Sequence, residues 1–153
     1  MPGGNIYFFS GLLDKLNTDD EVAGVLSHEI GHCAARHNVK KFQASLGYNL
    51  IGSLVLNQLN PGAAQQVAAL SSNVVMNIIF SSYGRQDEFE ADKLGVKYMR
   101  LAGYNPQGML DTLEVLKKEG TGDGGALLFR SHPYTKDRID AVKKEIAAAG
   151  HLK

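Results

Sequence analysis

Apolar residues recur along most of this chain with the period of an α-helix, and polar punctuation divides them into six helical stretches and one short extended run. The run is Asn5 to Ser10 (NIYFFS), β-branched and aromatic between Gly4 and Gly11, which predicts one strand of a small sheet. A first helix is predicted over about 19 to 37. Thr18 stands three residues before Glu21 as a capping box, and Asp19 and Asp20 put negative charge where a helix N-terminus favours it. Val22, Val25, Leu26 and Cys33 are expected to form the inward face of this helix.

From Ala44 to Leu59 the chain is apolar on nearly every side, and Asn60, Pro61 and Gly62 stop it. Val67, Leu70, Val74 and Ile78 continue at helical spacing over 63 to 80, so the two segments are expected to pair as a buried helical hairpin. A fourth helix is predicted from about Arg85 to Gly103, a residue suited to the left-handed position that ends a helix. A fifth begins near Pro106, and Asp137 to Ala149 reads as a Lys/Glu-rich surface helix. The intervening EGTGDGGA lacks the Lys-Ser/Thr pair of a phosphate-binding loop. These elements predict one α+β domain over 1–153, predominantly α-helical, with a small edge β-sheet and the hairpin between the first and fourth helices.

Composition removes whole classes of partner. The 153 residues, 44% of them apolar, suffice for a single core. Lys plus Arg number 16 and Asp plus Glu number 16, so the formal charge is zero and no basic tract is available for nucleic acid or an anionic membrane surface. No run of about 20 uncharged apolar residues is present to span a bilayer. The opening MPGGNIYFFS lacks the basic region and cleavage site of a signal peptide. Cys33, the one cysteine, permits no intrachain disulfide and leaves the redox compartment open.

The chemistry concentrates in His28-Glu29-Ile30-Gly31-His32, an H-E-x-x-H motif inside the first helix. At 100° per residue the two histidines lie about 40° apart, so both imidazoles can reach one ion. Glu29, about 60° from His32, is on the same side and can take a proton without being a ligand. Two histidines one turn apart can also simply cap or pack a helix. Here they border a face expected to be buried, where unpaired polar groups are costly, and a metal satisfies them together.

A catalytic zinc needs a third protein ligand and an open fourth position. The metzincin extension of the motif requires Gly at 35 and His at 38, whereas the chain has Ala35 and Asn38; His37, on a continuing helix, points about 180° from His28. A carboxylate remains, and the fourth helix offers Asp87, Glu88, Glu90 and Asp92. Glu88, Asp92, Gly95 and Met99 share one stripe, while Glu90, Lys93 and Lys97 form a solvated charge face. Glu88 is therefore expected as the third ligand. Asp92, one turn on, suits a carboxylate that accepts an N–H from a ligating histidine, and Gly95 lets the two helix backbones approach.

HEIGH followed by EFEAD, with PGG before the extended run and SHP before a later arginine, resembles the HtpX-like and CAAX-prenyl-protease (Ste-type) family of zinc metallopeptidases over nearly the whole chain. The resemblance implies a zincin-like fold and a zinc held by His28, His32 and Glu88, with Glu29 as general base and Asp92 behind the ligands, in agreement with the helical-face argument. It adds His132, in Ser131-His132-Pro133, as a group that helps stabilise the oxyanion, with Arg138 nearby. It implies a protein or peptide substrate aligned as an extended strand along Ile6, Tyr7, Phe8 and Phe9. Among the family's branches the soluble one is the match, since transmembrane helices are lacking here, which points to the bacterial periplasm or envelope. Because relatives carry sequence before the PGG element, the chain is expected to be the catalytic part of a longer protein. The function expected is a zinc-dependent metalloendopeptidase; the alternatives are a zinc-bound but occluded, chaperone-like binding module and a structural helical domain without metal.

Overall fold

Thr18 begins the first long helix as its sequence predicts: its Oγ1 accepts the Glu21 backbone N–H at 3.2 Å. The Glu21 carboxylate folds back one residue further than in the standard box and accepts the Asn17 N–H at 2.6 Å. The computed structural model describes residues 4–8, 10–59, 61–62, 83–119, 132 and 136–149. Its helices among these are α1 (Ser10–Leu13), α2 (Asp19–Ala34), α3 (His37–Leu56), α4 (Arg85–Leu101), α5 (Gln107–Glu119) and α6 (Lys136–Ala149). The chain divides into two compact units, Met1–His37 with Ser82–Lys153, and Asn38–Ser81.

In the first unit α2 packs on α4 and α5, and α6 closes over α4 and α5. Val96, Met99, Met109, Leu113, Ile139 and Val142 form the core where α4, α5 and α6 meet. The C-terminus of α4 follows prediction. Gly103 takes φ 84°, and the Tyr104 and Gly103 N–H groups donate to the carbonyls of Met99 (2.9 Å) and Arg100 (3.1 Å), the paired bonds of a Schellman cap.

Several expectations are corrected. Among the described residues of Asn5 to Ser10 no strand forms: residues 5–8 have no regular structure and Ser10 opens α1, while Phe9 lies outside the described residues. Strand propensity is a preference for a pleated, paired surface, and among the described residues no partner strand supplies one. The edge sheet is therefore not seen. The first long helix stops at Ala34, not at 37, because Arg36 adopts φ 59° and turns the chain before α3. The inward face of α2 is Glu21, Gly24, Ser27, His28, Gly31 and His32, whereas Leu26 is 40% exposed. Small and polar residues occupy that face because the neighbouring backbones come too close for branched apolar side chains.

In the second unit α3 begins before Ala44, and Leu46, Leu50, Ile51, Leu54 and Val55, expected to be buried, are exposed, Leu50 at 63%. The second arm of the hairpin, over 63 to 80, lies outside the described residues. Among the described residues no helix is long and apolar enough to cross a membrane.

Candidate metal centre

α2 presents His28 and His32 from one face, and α4 brings Glu88 and Asp92 against them. The approach depends on two glycines. A Cβ on Gly31 would stand 2.6 Å from the Ala91 carbonyl oxygen, and one on Gly95 would stand 3.2 Å from the His28 nitrogen. Gly95 thus does what its place on the α4 stripe predicts.

His28, His32, Glu88 and His132 each offer one ligand atom, and those atoms lie within 4.8 Å of one another, an arrangement able to hold a metal ion. His28 Nε2 and His32 Nε2 are 3.1 Å apart, and His32 Nε2 is 3.2 Å from Glu88 Oε1. The other nitrogen of each ring is already engaged: His28 Nδ1 with Asp92 Oδ1 at 2.8 Å, His32 Nδ1 with His37 Nδ1 at 2.8 Å. Asp92 can only accept, so His28 carries its proton on Nδ1 and turns the bare lone pair of Nε2 inward. Lone pairs converging on a carboxylate oxygen in a buried site call for a cation, and the donor set of imidazole and carboxylate fits zinc or a neighbouring transition metal.

Electrostatics match. Burial is the main cause that lowers the His32 imidazole from 6.5 to about 4, against the raising effect of Glu88, so its ring is neutral at pH 7, the ligating form. Burial by itself pushes the Glu88 carboxyl up, but the neighbouring His132 and His32 rings and the charge of Arg138 outweigh it and hold the group far below the usual range. Asp92 follows the same pattern: burial raises it, and Arg138 and His28 lower it further.

Arg138 is 4% exposed, not on the surface of its helix. Its Nε and Nη2 donate to Asp92 Oδ2 (2.8 Å) and Oδ1 (2.7 Å), and Nη1 stands 2.5 Å from Glu88 Oε2. One guanidinium therefore clamps both carboxylates. Burial disfavours its charge, but these acids, Asp92 foremost, raise its pKa. His132 Nδ1 lies 3.1 Å from Glu88 Oε1 and 3.2 Å from His28 Nε2, while its Nε2 is 3.2 Å from Glu29 Oε1. Glu29, on the side of α2 that its spacing predicts, is part-exposed. Val25, Met109, Leu113 and Leu116 wall a cavity of about 40 Å³ beside His28, Glu29 and His132.

Three participants escape the sequence reading. His37, placed by a continuing helix on the far side, is 1% exposed and touches His32. Glu90 is exposed, as its charge face predicts, yet its Oε2 accepts from His37 Nε2 at 3.2 Å. Tyr83, just before α4, lays its ring against His32 with centroids 3.9 Å apart. No periodicity signals Tyr83, because it precedes the helix.

Comparison with known proteins agrees with this geometry. Metalloprotease YcaL of Escherichia coli (strain K12) is 30% identical over 151 residues, covering 97% of this chain and 57% of that protein. The mitochondrial metalloendopeptidase OMA1 of Arabidopsis thaliana is 33% identical over 138 residues, 90% of this chain and 27% of the relative. The beta-barrel assembly-enhancing protease of Escherichia coli (strain K12) is 31% identical over 147 residues, 90% and 29% of the two chains. The chain thus spans little more than half the length of YcaL and less of the other two. The model of peptidase family M48 matches residues 1–146, and with these relatives it shows that the chain belongs to that family.

Proposed function

We propose that this domain is the catalytic part of a zinc-dependent metalloendopeptidase, with His28, His32 and Glu88 as metal ligands and Glu29 as general base. The observation that carries the reading is the convergence of two imidazoles and a buried carboxylate with Glu29 one residue along the same helix. Zinc, when bound, supplies Lewis-acid polarisation of the scissile carbonyl and acidifies water. Glu29 takes the proton of the attacking water and returns it to the leaving amine. Asp92 holds His28 by Nδ1, and Arg138 holds Asp92 and Glu88. His132 shares the negative charge that develops on the carbonyl oxygen. The substrate class is polypeptide. An extended segment would place a small aliphatic side chain in the cavity walled by Val25, Met109 and Leu113. Within the family, HEIGH, EFEAD and SHP support the HtpX-like or Ste-type branch.

A second reading rests on His132. Its Nδ1 stands among the ligand atoms and its Nε2 beside Glu29, so this side chain can itself fill the fourth position and keep the site closed. That is the occluded, binding-module alternative. Casein hydrolysis separates the two. Glu29→Gln should keep its metal and lose activity; full activity in that variant would sink the mechanism. His132→Ala should lose activity if His132 serves the oxyanion, and gain it if His132 closes the site.

A further inference from the structure

Both ligand histidines need their outer nitrogen fixed, and the structure fixes them differently. His28 has a carboxylate, Asp92, locked by Arg138. His32 has another imidazole, His37, brought back onto α2 by the left-handed turn at Arg36. His37 Nε2 faces Glu90 Oε2 at 3.2 Å and Asp87 Oδ1 at 3.5 Å. These carboxylates are acceptors, so the His37 proton resides on Nε2 and its Nδ1 is a bare lone pair. His32 Nδ1, 2.8 Å away, must then be the donor. A proton on His32 Nδ1 leaves its Nε2 lone pair facing Glu88 and His28.

From this geometry we propose that His37, backed by Glu90 and Asp87, is a positioning residue for the metal centre: it sets the tautomer and ring angle of His32. The inference rests on the reading of His28, His32 and Glu88 as metal ligands. His37 makes no contact with the ion. It acts through His32, as outer carboxylates and carbonyls act through other ligand histidines. The opposite arrangement, with His37 donating through Nδ1, would put the His32 proton on Nε2 and block ligation. Arg36 fits the same account: a non-glycine residue at φ 59° is strained, and what the turn achieves is the return of His37 onto His32.

The test is metal affinity, measured by competition with a chromophoric chelator for zinc, together with the visible spectrum of the cobalt(II) protein. His37→Leu removes the acceptor and should weaken zinc about 10- to 100-fold and shift the cobalt bands. In His37→Asn the amide oxygen stands near the former Nδ1, so affinity should recover to within a few-fold of the parent. Glu90→Ala, an exposed change made in case His37→Leu does not fold, should weaken zinc by a few-fold through the freed His37 ring. Parent affinity and an unshifted spectrum in His37→Leu, or equal losses in the Leu and Asn variants, would overturn the proposal. A parent chain that binds neither zinc nor cobalt would overturn the ligand assignment itself, which Glu88→Ala checks independently.

Discussion

Arg138 is a charge that the fold can keep buried only because Asp92 and Glu88 face it, and they in turn depend on it. Removing one member of such a cluster leaves the others buried and unpaired, which costs more than the net value of the pairing. Arg138→Leu should therefore destabilise the metal-free protein by about 3 kcal/mol or more in chemical denaturation. Arg138→Lys should recover only part of this, because an ammonium cannot bridge two carboxylates as a guanidinium does. A lysine variant as stable as the parent would show that charge alone, not the forked geometry, holds the carboxylates. At this scale much of the site is legible in the sequence. His28, Glu29 and His32 follow from 100° per residue, and Glu88 and Asp92 from the α4 stripe they share with Gly95 and Met99. His37 is not legible, since the argument from helical angle assumes an unbroken helix. The left-handed residue that breaks it is an arginine, not the glycine or asparagine that marks such a turn.

Between elements, the distance from His32 to Glu88 is set by how closely α2 lies on α4, and Gly31 sets that distance. The atom a Cβ would meet is the backbone oxygen of Ala91, which cannot swing aside as a side-chain end can. Gly31→Ala should force the helices apart, cost about 1 to 3 kcal/mol and lower zinc affinity together with stability. Gly47→Ala on α3 has open space around the new Cβ and should stabilise that helix by about 0.5 to 1 kcal/mol. Parallel melts of the two variants check the contrast; a harmless Gly31→Ala would mean that the helix contact does not govern the site. The starts of α2, α4, α5 and α6 are well expressed in the chain, because caps and period are local. The extended run NIYFFS is misread for the opposite reason: a strand exists only through its partner, and no local pattern states whether one is there. The inward face of α2 is misread because close backbone approach favours glycine and serine over the valines and leucine that hydrophobicity selects.

Across the whole molecule, the atoms able to hold an ion come from α2, from α4 and from residue 132, so one ion bound there would join parts of the chain that are far apart in sequence. An ion that binds the folded chain and not the unfolded one stabilises it by mass action, about 4 kcal/mol at a thousandfold excess over its Kd. For a chain of this length that is a rise in Tm on the order of 10 °C. The donor set decides which ions achieve it. Imidazole nitrogens suit zinc and cobalt, whereas magnesium prefers an octahedron of oxygens and should leave the melting curve unmoved at the same concentration. Glu88→Ala removes the ligand that α4 contributes, so zinc should then no longer raise Tm above that variant's own metal-free baseline, itself lowered because Arg138 loses a carboxylate partner. Equal zinc-induced shifts in the parent and in Glu88→Ala would place the stabilising ion elsewhere and remove α4 from the metal centre.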